Sequence, residues 1–452
     1  MGTNTNKMAT WPIPKLLFSM GLPAVFSMLI QALYNIVDSI FISNYSQDAL
    51  FAVGLAYPIQ VISLSLALGL GIGTGALVSR RLGEKRLEET GHVATTGIVL
   101  SFIQSAIVMV AAFFITRPFL GMFTSRPEII ELGYQYLIYI LVINIGQMSS
   151  ITFERILQAQ GNMIVPTISL LIGSITNIIL DPILIFGMFG LPAMGVKGAA
   201  IATVIGQCFS ALFCGYIVIF GEHAVHINFK GFKFEKRIIK EIYAVGLPTA
   251  VINMVGSFTT TMLNRILVNF SELAVTSLSI YFKLQSFVFM PVFGFNQGAL
   301  PILSYNYGAK DAKRYKDTAI LYLLSALSFM TIGTIVFRVA PDMLLHFFEM
   351  DAELTAISRI TLSTIALSFI PAGGSIVIST IFQSFGKGTT SMMQSILRQV
   401  GILIPMAYLL AQFGVLDYVW YAYPIAEIAV VILYVPLVIR TYHKVFDQHL
   451  AN

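Results

Sequence analysis

Twelve long apolar runs follow one another along the chain, each bounded by glycine, proline or charge. They occupy approximately 14–43, 50–79, 91–117, 129–158, 163–188, 196–220, 240–269, 273–304, 315–340, 354–384, 390–413 and 418–442. Each is long enough for the ~20 helical residues that cross a hydrocarbon core, and the longer ones must tilt, bend or project beyond it. The pattern predicts an all-α polytopic membrane protein of about twelve spanning helices.

Composition agrees. Of 452 residues, 56% are hydrophobic and 11% charged, against about 25% charged in a typical soluble domain, and mean hydropathy is +0.81. The net charge of +5 does not point to nucleic acid, because the basic residues gather in short loops. Of the 27 Lys and Arg, 18 fall at the two termini and in the second, sixth, eighth and tenth loops, among them Arg80, Arg81, Lys230, Lys236 and Lys310. Arg117, Arg126, Lys197, Arg338 and Arg359 fall on the other side. By the positive-inside rule both termini of the multi-pass chain are expected to be cytoplasmic. The first run is too long and too polar for a cleavable signal. Cys208 and Cys214 lie in one apolar run, do not share a helix face and read as packing residues.

The chain repeats itself at an offset of 225 residues. Gly21-Leu22-Pro23 returns as Gly246-Leu247-Pro248, and Asn44-Tyr45-Ser46 as Asn269-Phe270-Ser271. Gly73, Ser79, Gly83 and Lys85 return as Gly298, Ser304, Gly308 and Lys310, and Ile156, Gln158 and Gly161 as Ile381, Gln383 and Gly386. Six spans per half make the halves parallel repeats about an axis along the membrane normal. The expected organisation is an N-terminal lobe at 1–220 (helices one to six), a linker loop at 221–239 and a C-terminal lobe at 240–452 (helices seven to twelve). Pro23 and Pro248, each removing a helical hydrogen bond at matching places, are candidate hinges.

Polar residues inside spans identify the chemistry, since a charge in hydrocarbon costs roughly 2.5–3.5 kcal/mol near a helix centre. Gln31, Tyr34, Asn35 and Asp38 share one face of span one; Ser174, Asn177 and Asp181 share one face of span five; span six adds Thr203. Counting residues from the outer helix ends puts Asp38, Asp181 and Thr203 at similar depth. Two carboxylates with an amide and a hydroxyl form a candidate cation site. Shared burial and mutual repulsion favour retention of a proton by one of them, and the same four side chains also suit a sodium ion. At the repeat offset Asp38, Asn177 and Asp181 become Leu263, Ile402 and Met406, so the acidic cluster belongs to the N-terminal lobe alone. Asn253 and Ser257 in span seven are candidate cleft-lining residues. Glu427 reads as a second protonatable site or as a partner of Lys283 or Arg265, pairing being the favoured reading, and Glu154-Arg155 are expected to anchor structure. Gly69, Gly71, Gly73 and Gly75 follow no strand and read as a close helix approach, not a phosphate loop.

These segments carry a resemblance. Gly-Leu-Pro followed by Asp38, Ala-Gln-Gly-Asn at 159–162, Asn177-Ile-Ile-Leu-Asp181-Pro, Gly198-Ala-Ala-Ile-Ala-Thr203 and Pro301 through Tyr305-Asn306-Tyr307-Gly308-Ala309-Lys310 resemble the multidrug and toxic compound extrusion (MATE) family, in its DinF- and MepA-like bacterial branch. The resemblance implies twelve helices in a V of two lobes and cation-driven export of amphipathic, often cationic drugs without a cofactor. It also implies that Asp38, Asn177, Asp181 and Thr203 bind H+ or Na+, and that Gln31, Tyr34 and Ser174 face the drug chamber. Another branch carries acids in spans seven and ten, where this chain has Asn253, Ser257 and Asn264 in span seven and no acid in 360–384. A single chain, a monomer in the bilayer, is expected to suffice.

Two other readings compete. A related lipid-linked oligosaccharide flippase wants a more cationic cavity for a pyrophosphate head. An intramembrane prenyltransferase-like enzyme needs paired Asp-rich magnesium motifs, and no such pair occurs in the sequence.

Overall fold

In the computed structural model, residues 7–221, 224–229, 232–346, 348 and 350–450 are described; Lys230 of the basic linker lies outside them. The described chain is helical, without strands. Among the described residues, eleven helices are long and apolar enough to cross a membrane. They are Ile13–Ile42 (span one), Asp48–Gly83 (two), Leu87–Gly121 (three), Ile164–Phe186 (five), Val196–Phe220 (six), Lys236–Leu267 (seven), Glu272–Gly308 (eight), Ala312–Val339 (nine), Ala352–Ser384 (ten), Gly388–Ala411 (eleven) and Leu416–Phe446 (twelve). The pair Pro127–Val142 and Ile145–Ala159, bent by 46°, counts as span four. The protein is a multi-pass membrane protein. Its outer side chains fit no other solvent: Phe114 is 74% exposed and Leu212 70%, surface that only hydrocarbon accommodates at such density.

The expected continuous helix at 129–158 is instead broken at Ile143–Asn144. Asn144 is fully buried, and its Oδ1 accepts a hydrogen bond from the Ser105 hydroxyl of span three. A polar group fixed in an apolar bundle thus sits at the bend. Span ten contains a 3-10 turn at Ala366–Ser368, and span eleven a π-helical stretch at Leu397–Leu403.

The described helices form two compact units that do not follow chain order. One holds Phe26–Ala250 with the short Lys7–Thr10 helix, and the other holds Trp11–Val25 with the residues from Val251 onward. Spans one and seven therefore each divide between units, a few residues after Pro23 and Pro248, in contrast to a boundary placed wholly in the 221–239 loop. Glycine explains the division. In the first unit the backbones of Gly69 and Gly246 meet so closely that a Cβ on Gly69 would lie 2.5 Å from the Gly246 carbonyl oxygen. In the second, a Cβ on Gly298 would lie 3.0 Å from the Gly21 nitrogen, the repeat of Gly73 against Gly246 at the same 3.0 Å. The first half of span seven is thereby locked on span two, and that of span one on span eight. Gly71 and Gly75 face Ile151 and Arg155 of span four, so the glycine run is a packing device on two faces. Arg155 reaches on to Gln158 (2.8 Å).

The repeat extends to local geometry. Ser46 and Ser271 cap spans two and eight, accepting from Ala49 N (3.4 Å) and Ala274 N (3.1 Å). Lys85 and Lys310 share φ of 59° and 57°, and Gly161 and Gly386 φ of 83° and 73°, a region that glycine enters without steric penalty. The first unit is further tied at its loop end by Arg81, whose guanidinium binds Glu84 (2.8 Å), Glu89 (3.2 Å) and Glu241 (2.6 Å).

Candidate cation site

Spans five and six run antiparallel in close contact because Gly173 and Gly206 leave no side chain between them; a Cβ on Gly206 would lie 2.5 Å from the Gly173 carbonyl oxygen. Ser169 and Ser210 exchange hydroxyl-to-carbonyl hydrogen bonds of 3.1 and 2.7 Å one turn away. The closeness lets Asn177, one turn after Gly173, reach across. Its Nδ2 donates to Thr203 Oγ1 (3.2 Å) and to Asp181 Oδ1 (3.3 Å).

Span one supplies the second acid. The Asp38 and Asp181 carboxyl groups face each other within hydrogen-bonding reach, with the Tyr34 ring beside them. Tyr136 lies within electrostatic reach of Asp38, Asp181 and Tyr34, with Gln60 beside it. Asp181 is fully buried and Asn177 nearly so. Asp38 Oδ1, Asp181 Oδ2, Asn177 Oδ1 and Ser174 Oγ are all buried without a hydrogen-bond partner. Four orphaned oxygens at one point carry a large desolvation penalty unless a cation or proton satisfies them. Among the described residues no group of three or more His, Cys, Asp or Glu is arranged to hold a metal ion. An oxygen set with two carboxylates suits a proton or a hard monovalent ion, not a transition metal.

The four residues expected to form the site are brought together, and Tyr34 and Ser174 adjoin them. Gln31 and Asn35 stay exposed on span one and do not join the cluster. Asn253 and Ser257 belong to the other unit, also exposed. Tyr136 and Gln60 were not legible as site residues; a tyrosine in a tyrosine-rich helix and a lone glutamine carry no periodic signal.

A family model described as MatE matches residues 23–183 and again 248–409. The chain belongs to the MatE family. The two matches begin 225 residues apart, restating the repeat. Among curated MatE relatives, the multidrug export protein MepA of Staphylococcus aureus (strain MSSA476) is 27% identical over 415 residues, covering 90% of each chain. MepA of Staphylococcus haemolyticus (strain JCSC1435) is 25% identical over 410 residues, covering 90% of this chain and 89% of its own. The MatE fold is matched by a solved outward-facing multidrug resistance MATE transporter of the MOP superfamily, at a TM-score of 0.92 and 22% identity, covering 99% of this chain and all of that one. A MATE structure in a bent conformation gives 0.93 at the same identity, with 99% of each chain covered.

In the MatE chain the acid of span twelve is paired otherwise than its sequence implies. Glu427 Oε1 accepts from Arg398 Nη1 at 2.6 Å, not from Lys283 or Arg265. Both of those are exposed. Span eleven passes close to span twelve where its π-helical turn carries Arg398, a proximity no linear spacing reveals.

Proposed function

We propose that this MatE protein is a cation-coupled multidrug efflux antiporter that exports amphipathic, often cationic organic compounds in exchange for protons by alternating access. The observation that carries the reading is the Asp38–Asp181 pair with its orphaned oxygens. Two like charges in a low-dielectric bundle favour a shared proton, so the site loads and unloads one proton at little structural change. The names of the MepA relatives support drug export as the partner process.

Both termini are placed in the cytoplasm on the distribution of Lys and Arg. A proton from outside then weakens the polar link between spans one and five. Span one bends at Pro23, the drug site changes shape and cargo leaves outward; proton loss to the cytoplasm resets the cycle. The driving free energy is the proton's differential binding to the two states.

The experiment is uptake of a cationic dye by proteoliposomes under separately imposed gradients. An acid-inside pH gradient without sodium drives uptake if protons are the coupling ion. Uptake that requires sodium and ignores pH makes the four residues a sodium cage, and uptake that ignores both removes the coupling.

A further inference from the structure

The second unit holds a polar cluster that the cation site does not use. At the repeat of Gly173, where span five of the first unit lies flush on span six, span eleven carries Arg398. It stands in the π-helical stretch Leu397–Leu403, a distortion frequently found at functional sites. Ten residues separate it from Gly388, about 15 Å at helical rise, which is near the middle of a bilayer core.

The hydrogen bonding of the cluster is one-sided. Glu427 is held at both oxygens: Oε1 by Arg398 Nη1 (2.6 Å) and Oε2 by the Ser375 hydroxyl (2.8 Å). Ser375 is itself fixed through its carbonyl by Gln394 Nε2 (2.9 Å). Ser375 engages the second carboxylate oxygen, and Arg398 meets Glu427 through a single bond and not the forked two-bond geometry that arginine prefers. A guanidinium offers five N–H donors, and among the described residues Arg398 places one of its nitrogens on a protein acceptor. Its side chain is 25% exposed, against 12% for Glu427. Tyr281, fully buried and within electrostatic reach of Glu427 and Tyr423, leaves its hydroxyl unpartnered, as do Tyr423 and Gln394 Oε1. Both carboxylate oxygens are engaged, whereas most of the guanidinium's donors are not. The unused capacity beside Glu427 is dominated by the N–H donors of Arg398, with Gln394 Oε1 an unpartnered acceptor beside them, and such donors select an acceptor-bearing, anionic group.

We propose that the second unit carries a subsite in which Arg398 binds the carboxylate of an amphipathic cargo, with Glu427 as its resting counter-ion. The inference rests on the reading of the chain as an exporter of amphipathic compounds and adds an acidic group to what it recognises. Arg398 swings its free N–H edge onto the incoming carboxylate while Ser375 keeps Glu427 in place. The tyrosine hydroxyls complete the shell.

The test uses one matched pair of dyes, tetramethylrhodamine with its free carboxylate and tetramethylrhodamine ethyl ester without it. Equilibrium binding to the purified full chain in detergent is measured first, and uptake by proteoliposomes second. The wild type binds both. Arg398→Gln lowers affinity for the acid by about tenfold, the scale of one charge-assisted contact, and leaves the ester within about twofold. Since that variant strands Glu427, the double variant Arg398→Gln/Glu427→Gln, neutral and better able to fold, must show the same selective loss. Equal loss for both dyes in the double variant, unchanged acid binding, or a wild type that does not bind the acid overturns the subsite. Selective binding without gradient-driven uptake of either dye leaves the subsite standing and removes the transport reading instead.

Discussion

Alanine at Gly69 tests the crossing that locks span seven onto span two. A Cβ there would stand 2.5 Å from the Gly246 carbonyl oxygen, 3.0 Å from the Ala250 Cβ and 3.3 Å from the Ala250 nitrogen. Real Cβ atoms essentially never come within 3.0 Å of such neighbours, and the first obstacle is backbone, which no rotamer change relieves. The two helices must separate by roughly 0.5 Å, and overpacking of this kind costs about 1–3 kcal/mol. Against it, alanine in a helix interior gains about 1 kcal/mol over glycine. The net loss, about 1–2 kcal/mol at the upper half of the range, lowers the midpoint of thermal unfolding in detergent by about 1–2 °C for a chain of this length. Gly54, in the same helix with nothing within 4 Å, is the internal control; Gly54→Ala keeps the propensity gain and holds or raises the midpoint. Scanning fluorimetry on both purified variants decides the matter. A Gly69→Ala protein as stable as Gly54→Ala refutes the close crossing.

Asp38→Asn and Asp181→Asn each remove an exchangeable charge while keeping side-chain shape, so both fold and insert but lose coupled export. Dye efflux normalised to folded protein checks this, and normal efflux by either sinks that residue's role. Arg81→Gln removes a side chain only 7% exposed and strands Glu241, while Glu84 keeps Arg86 and Glu89 keeps Arg86 and Arg237. Removing one partner of a buried ionic cluster costs about 3 kcal/mol, so its unfolding midpoint falls well below that of the wild type at unaltered dye binding; a midpoint within about 1 °C of the wild type contradicts the cluster's role.

The membrane class, the number of spans and the twofold repeat were legible because each is a property of local sequence. A spanning helix must satisfy its own backbone and offer apolar side chains over a fixed length, so hydropathy alone marks it. The repeat was legible down to Ser46/Ser271 and Gly161/Gly386, because caps and left-handed turns are specified by the residues that adopt them. Most of the acid cluster was legible for a related reason: a carboxylate in a span is too unfavourable to be casual. Its shared depth follows from counting helical residues.

Pairing across the bundle was beyond that reach. Tyr136 and Gln60 join the acids only because span four and span two pass beside span one, and the exposure of Gln31 and Asn35 depends on how span one is rotated. The break at Asn144 needs the Ser105 hydroxyl of another helix. The partner of Glu427 is decided by a π-helical turn one helix away, and the division of spans one and seven between units by glycine contacts with spans eight and two. The sequence determined which residues enter the membrane and which of them are costly there; the tertiary structure alone decided which of those meet, since side-chain contacts depend on helix rotation and crossing that no periodicity encodes.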